Sequence, residues 1–263
     1  MTHRSLIYPW CLLSRVGVLL AAVVAVVGTL AAPALVQAAN GVCNNPPPQF
    51  PGVSSFKDED GNWNDVDNPY FPLEPGTTFT YEGTKDGDPV VNVVHVTHKT
   101  KTVLGVRTIV VHDLVYISGA LAEATFDYFA QDRRRNVWYF GEDSTEIPSG
   151  DKTGSWLAGV QGALPGIIME GHPRVGDQYL QESAPQQGAQ DRGKVLSLRA
   201  QVTVPYGSFT RVLKTRDGSC LEDPSTDEFK FFAPGVGNIK LRSLDGNEEQ
   251  HLVSITDNED SED

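Results

Sequence analysis

The chain has 263 residues, 40% hydrophobic and 21% charged, with 34 acidic against 21 basic side chains and a formal net charge of −13. A surface that negative repels phosphate backbones and anionic headgroups, and the one cationic cluster, Arg133-Arg134-Arg135, reads as a solvated turn. This excludes a nucleic-acid partner in the ordinary sense.

Residues 1–38 open with Arg4 and Arg15, continue in an apolar run from Val16 to Leu35, and leave through Val36-Gln37-Ala38. That three-part build is a secretory signal peptide, so the mature chain should begin near Ala39, secreted or periplasmic, with no membrane span. An uncleaved anchor of roughly 20 residues is the alternative. Residues 39–76, rich in Pro, Gly, Asn and Asp, read as an irregular leader rather than packed structure. Within it Asp58, Asp60, Asn62 and Asp65 alternate oxygen ligands as calcium loops do, although the place for the closing Glu holds Pro69. Calcium is the cofactor suggested by this stretch, against a plain acidic turn.

From Thr77 the pattern changes to period 2. Strands are predicted over 77–83, 90–103, 106–117, 120–131, 136–142, 194–204, 208–215, 228–233, 236–243 and 249–256, all rich in Val, Thr, Phe and Tyr. Leu104-Gly105 and Ser118-Gly119 have the form of two-residue hairpin turns. Continued without interruption, those turns set Val94 opposite Val115, Val96 opposite Asp113, Val111 opposite Phe126 and Ile109 opposite Tyr128, a continuous apolar surface with Ala122 and Ala124. Asp113 is the single carboxylate in it and needs a hydrogen-bonding partner or a raised pKa, backbone amides being the expected partners. The opposite surface collects His95, His112, Glu123 and Asp127. His95, His112 and Glu123 there form a candidate set for zinc, copper or iron, against a solvent-facing polar stripe.

Residues 151–193 space Gly154, Gly159, Gly162, Gly166, Gly171 and Gly176 among Trp156, Leu164, Ile167, Ile168 and Met169, the composition of a covering segment whose apolar residues need somewhere to go. Residues 257–263 hold a run of acids and read as a disordered tail. Cys11 leaves with the signal peptide, and Cys43 and Cys220 remain as a lone pair in an oxidising compartment. A disulfide between them is expected, two free thiols being the alternative.

Nothing in the sequence points to catalysis. There is no G-x-S-x-G, no H-E-x-x-H and no phosphate-cradling loop before a helix. Glu123 and Asp127, four residues apart on one strand, would stand about 13 Å apart, beyond the separation of roughly 6.5–9.5 Å that inverting glycosidases use. A non-enzymatic protein is expected.

The words Tyr70-Phe71-Pro72-Leu73-Glu74-Pro75-Gly76-Thr77, Asn136-Val137-Trp138-Tyr139-Phe140-Gly141-Glu142 and Ala233-Pro234-Gly235-Val236-Gly237 resemble those of secreted bacterial β-rich proteins of unknown function. The opening and closing words also look like those of TapB-like domains, akin to the half-barrels of periplasmic lipoprotein carriers. Arg135 departs from the pattern, which has Gly before Asn136, and so does Cys220. The resemblance implies an extracytoplasmic β domain with no assigned catalytic residue.

Together these readings give an all-β protein: a single curved antiparallel sheet, half-barrel or open barrel, over residues 77–256, its edge strands covered by the Gly-rich segment. If that segment crosses the concave side, Trp138, Trp156, Ile167, Ile168 and Met169 line a pocket for a hydrophobic ligand, or simply complete the core. The expected partner is that ligand or a cell-envelope component. A cation-dependent surface protein or enzyme, and a purely structural envelope protein, are the alternatives.

Overall fold

A computed structural model describes residues 42–257. The signal segment and the acidic tail beyond Asp257 lie outside the described residues. The strands are β1 (Asp67–Asn68), β2 (Phe71–Pro72), β3 (Thr77–Lys85), β4 (Asp88–Val103), β5 (Val106–Ile117), β6 (Ala120–Gln131), β7 (Val137–Glu146), β8 (Trp156–Leu157), β9 (Leu164–Met169), β10 (Gln178–Leu180), β11 (Glu182–Ser183), β12 (Asp191–Val204), β13 (Gly207–Ser219), β14 (Glu228–Ala233), β15 (Gly237–Ser243) and β16 (Glu248–Asp257). All ten strands expected from the sequence are present, and the only helical pieces among the described residues are three short 3-10 turns. None of these is long and apolar enough to cross a membrane.

The long strands form one antiparallel sheet in the order β10-β12-β13-β14-β15-β16-β3-β4-β5-β6-β7-β9-β11. The sheet curls into a nearly closed barrel whose seam is bridged by residues 178–183. Their first half pairs with β12 and their second half with β9. Gly166 on β9 makes that approach feasible, because a Cβ there would run into the Gln181 backbone. The Gly-rich segment thus covers the edge of the sheet by joining it. β8 and β9 both pair with β7, and neither lies across the concave face.

The leader is irregular in backbone yet packed, contrary to the expectation of an unpacked stretch. Phe56, Phe71 and Leu73 are buried, and Phe50 and Phe56 stack at 5.8 Å and meet Trp138 and Phe140 edge-on. Four aromatic rings that would cover the outside of β7 poorly by themselves find partners there. Cys43 is bonded to Cys220, with 5.5 Å between their Cα atoms, which ties the leader to the end of β13.

Candidate functional site: an apolar groove and a carboxyl-rich interior

Both two-residue turns form as expected, with Leu104, Gly105, Ser118 and Gly119 all at positive φ. The strands then depart from uniform pairing. In β4 the stretch between Val96 and Thr100 bulges, held by Thr97, whose hydroxyl donates to the Val110 carbonyl at 2.7 Å and accepts from the Lys99 amide at 3.1 Å. This bulge adds two residues, so faces are kept while partners move. Val94 now faces Asp113, Val96 faces Val111 and His95 faces His112.

In β6 the bulge between the Tyr116–Leu121 and Val115–Glu123 pairs adds one residue, and every later side chain of β6 changes face. Phe126, expected in the core opposite Val111, instead pairs with His112, stacks on it at 4.3 Å and is 38% exposed. Ile109 pairs with Phe129, not Tyr128. Glu123, Thr125 and Asp127 turn into the barrel and are buried. The structure therefore brings His95 and His112 together on the outer face and places Glu123 on the inner one. His95 Nδ1 lies 2.8 Å from the Thr78 hydroxyl.

The acidic leader folds as a tight turn. Asp58 accepts the Asn62 amide at 2.8 Å and its side-chain amide at 3.1 Å, which holds the Asp58 carboxyl below its usual range. Both Asp58 oxygens are used internally, and Asp60 is exposed. No group of three or more His, Cys, Asp or Glu among the described residues is arranged to hold a metal ion.

The interior of the barrel is where the structure departs furthest from the sequence reading. Asp113 is buried as expected, but its partner is the Asn92 side-chain amide and not a backbone amide. Burial, and then the nearby Asp127, push its pKa well up. Glu123, Asp127, Glu142, Glu182, Asp191, Asp217, Glu228 and Glu248 are buried as well, against two buried ammonium groups, Lys85 and Lys230. Lys85 pairs with Glu248 at 3.2 Å, and Lys230 reaches Glu228 at 3.2 Å and Asp217 at 3.6 Å. Burial raises Glu123 to about 8, against the opposing hydrogen bonds of Ser144 and Thr125. It raises Glu228 to about 8 and Asp191 to about 7. With so few cations available, Glu123, Asp191 and Glu228 remain protonated where ordinary carboxyls ionise.

The residues expected to bind a hydrophobic ligand do not share one pocket. Ile168 and Met169 are core, and Trp156 lies beneath β7 beside Tyr139. Trp138 and Ile167 are paired directly across β7 and β9. Both line a groove of about 520 Å³ with Pro48, Phe50, Pro51 and Arg134. Its base is set by Asp132, which accepts from the Trp138 indole at 2.9 Å, the Asn136 amide at 3.0 Å and the Arg134 amide at 2.8 Å. Arg135, where glycine was expected, takes φ 65° at this turn, and its guanidinium donates to the Asp67 carbonyl at 2.6 Å.

Sequence reasoning missed most interior acids because apolar alternation pointed the wrong way. In β14 the alternate set Glu228, Lys230 and Phe232 faces inward, while Phe229 and Phe231 face out. The Lys214 ammonium covers those two rings, 3.6 Å from Phe229 and 5.4 Å from Phe231. The available signal was the Glu-Lys pair two residues apart, which places opposite charges on one face of a strand.

No protein-family model and no curated protein sequence matches the chain. Two solved structures are similar in part. One is a protein named as exported, with a YmcC-like fold, from Bacteroides fragilis, at 13% identity and a TM-score of 0.40, covering 71% of this chain and 98% of its own. The other is a protein named as a lipoprotein, from Parabacteroides distasonis, at 12% identity and a TM-score of 0.35, with the same coverages.

Proposed function

We propose that this is an exported, non-enzymatic β-barrel that carries an amphipathic ligand, apolar in body and anionic at its head, in the groove at Trp138 and Ile167. The observation that carries this reading is the juxtaposition in one groove of Phe50, Trp138 and Ile167 with Arg134. An acyl chain gains about 0.8 kcal/mol for each methylene it buries, and a guanidinium selects a carboxylate or phosphate head. Export is supported by the signal-like opening and by the Cys43–Cys220 bond, which persists in an oxidising compartment.

Native mass spectrometry of protein purified from its own host tests this directly, with an added lipid-like mass expected. Decanoate titrated against tryptophan emission supplies the second readout. Ile167→Glu and Arg134→Glu should each weaken decanoate binding by about tenfold, roughly 1.4 kcal/mol. Bare-protein spectra together with no decanoate response overturn the reading.

A further inference from the structure

Folding assembles a cationic surface that no single run of the sequence shows. From Arg192 to Arg216 the chain carries Arg192, Lys194, Arg199, Arg211, Lys214 and Arg216 and no Asp or Glu, in a protein of net charge −13. The pairing of β12 with β13, β13 with β14 and β14 with β15 sets Lys194, Arg216, Phe229 and Arg242 side by side in one row, and Lys214, Phe231 and Lys240 in the next. Paired residues of adjacent strands project to the same side. Phe229 and Phe231 face out, so Lys194, Lys214, Arg216, Lys240 and Arg242 all stand on the outside of the barrel. Each is at least partly exposed.

The acids beside this face are engaged elsewhere. Asp227 takes Arg216 at 2.7 Å, and Glu249, opposite Arg242 in register, takes Lys240 at 2.5 Å and His251 at 2.8 Å. Lys194, Lys214 and Arg242 ion-pair with no acid among the described residues. Burial, and then the charge of Arg242, hold the Lys214 ammonium below its usual range, so like charges crowd one another here. At a Debye length of about 8 Å the acidic remainder of the surface is largely screened from them. The rings of the face are already covered, since the Lys214 ammonium lies 3.6 Å from the centre of Phe229 and 5.4 Å from that of Phe231. A protein partner is anchored by aromatic side chains in packed pockets, and a lipid surface by apolar side chains sunk past its headgroups. The capped rings supply neither. The face also curves with the barrel over about 14 Å from β12 to β15, so a flat bilayer touches only part of it, whereas a flexible chain follows all of it.

We propose that the outer face of β12–β15 binds an anionic polysaccharide, its acid groups set among the side chains of Lys194, Lys214 and Arg242. Each acid group that docks releases small counterions from the polymer and relieves the repulsion between Lys214 and Arg242. The Arg242 guanidinium can hold a carboxylate or sulfate through two parallel hydrogen bonds. The groove at Trp138 belongs to β7 and β9, and β16, β3, β4, β5 and β6 lie between it and this face. A polymer-bound protein therefore keeps the groove open. The face is independent of the carrier reading, and decanoate binding neither supports nor weakens it.

The test is a calorimetric titration of the disulfide-bonded protein with polygalacturonate and with dextran sulfate, neutral dextran being the control. Poly-L-glutamate stands for an acidic protein, and phosphatidylglycerol vesicles stand for a membrane. Binding of at least one polyanionic sugar is expected at about 50 mM NaCl, weakening at least tenfold by about 200 mM. Arg242→Glu should weaken it about tenfold. Lys194→Glu gives the same readout from another strand and keeps the test decisive if Arg242→Glu fails to fold. Lys152→Glu, an equal change of net charge at an exposed site beside β7, should leave binding unchanged. Tighter binding of polygalacturonate assigns the face to carboxylates, and tighter binding of dextran sulfate assigns it to sulfates. The proposal is overturned if neither polymer binds at about 1 mM acid groups, or if dextran binds as well as they do. It is also overturned if Lys152→Glu weakens binding as much as Arg242→Glu, or if poly-L-glutamate or the vesicles bind more tightly than both polysaccharides.

Discussion

Raising the pH from 5 to 8 should destabilise this protein, in the opposite sense to the usual acid sensitivity of folded chains. Glu123, Asp191 and Glu228 have pKa values in the fold of about 8, about 7 and about 8, against ordinary carboxyl values near 4. A group that binds its proton more tightly when folded contributes stability fully present below its unfolded pKa, and that stability is lost as pH rises through the folded value. The window therefore runs from about pH 4.5 to about pH 8. Each tenfold change in proton affinity is worth about 1.4 kcal/mol, so one acid carried across that window forfeits a few kcal/mol. Asp58, Asp223 and Glu249 have lowered values and act in the other direction, but only below the window. A net loss of about 3 kcal/mol corresponds to a fall in Tm of roughly 6–12 °C for a domain of this size. Circular dichroism melts at pH 5, 6, 7 and 8, with ionic strength fixed, measure it. Glu123→Gln, which keeps the hydrogen-bonding shape without the titration, should flatten the slope. A Tm that is level or rises towards pH 8 refutes the protonated interior.

Four other outcomes are expected. Cys220→Ser should lower the urea midpoint with the groove intact, since opening a loop of 177 residues forfeits up to about 5 kcal/mol in the chain-entropy estimate. Asp227→Asn should cost about 3–5 kcal/mol by denaturant titration, because Asp227 holds the buried Arg192 guanidinium through two bonds at 3.0 and 3.1 Å and also takes Arg216 at 2.7 Å. Gly166→Ala should separate the seam, seen as faster amide exchange in residues 178–183 while β3–β6 keep their protection. Phe129→Ala, which empties a fully buried site packed against Phe71 and Tyr139, should cost about 3–5 kcal/mol.

The sequence by itself determined what is local. Period-2 runs and Gly-containing turns place all ten long strands and both two-residue hairpins, and the two cysteines outside the signal-like opening pair as expected. Which way side chains face was decided only by the tertiary structure. One extra residue at Ala122 reverses β6, so Phe126 goes out to His112 while Glu123 and Asp127 go in. Alternation cannot reveal this, because the leader and the Gly-rich segment also cover the outside of β6, leaving Tyr128 and Ala130 on one face and Phe129 on the other all buried. Where both faces of a strand are buried, hydrophobic pattern no longer sets the register. The same holds for the residues expected to meet a ligand: Trp138 and Ile167 meet in a groove, Trp156 stands at a different cleft, and Ile168 and Met169 fill the core. Their separation follows from the pairing of β7 with both β8 and β9, a long-range contact that no run of neighbouring residues encodes.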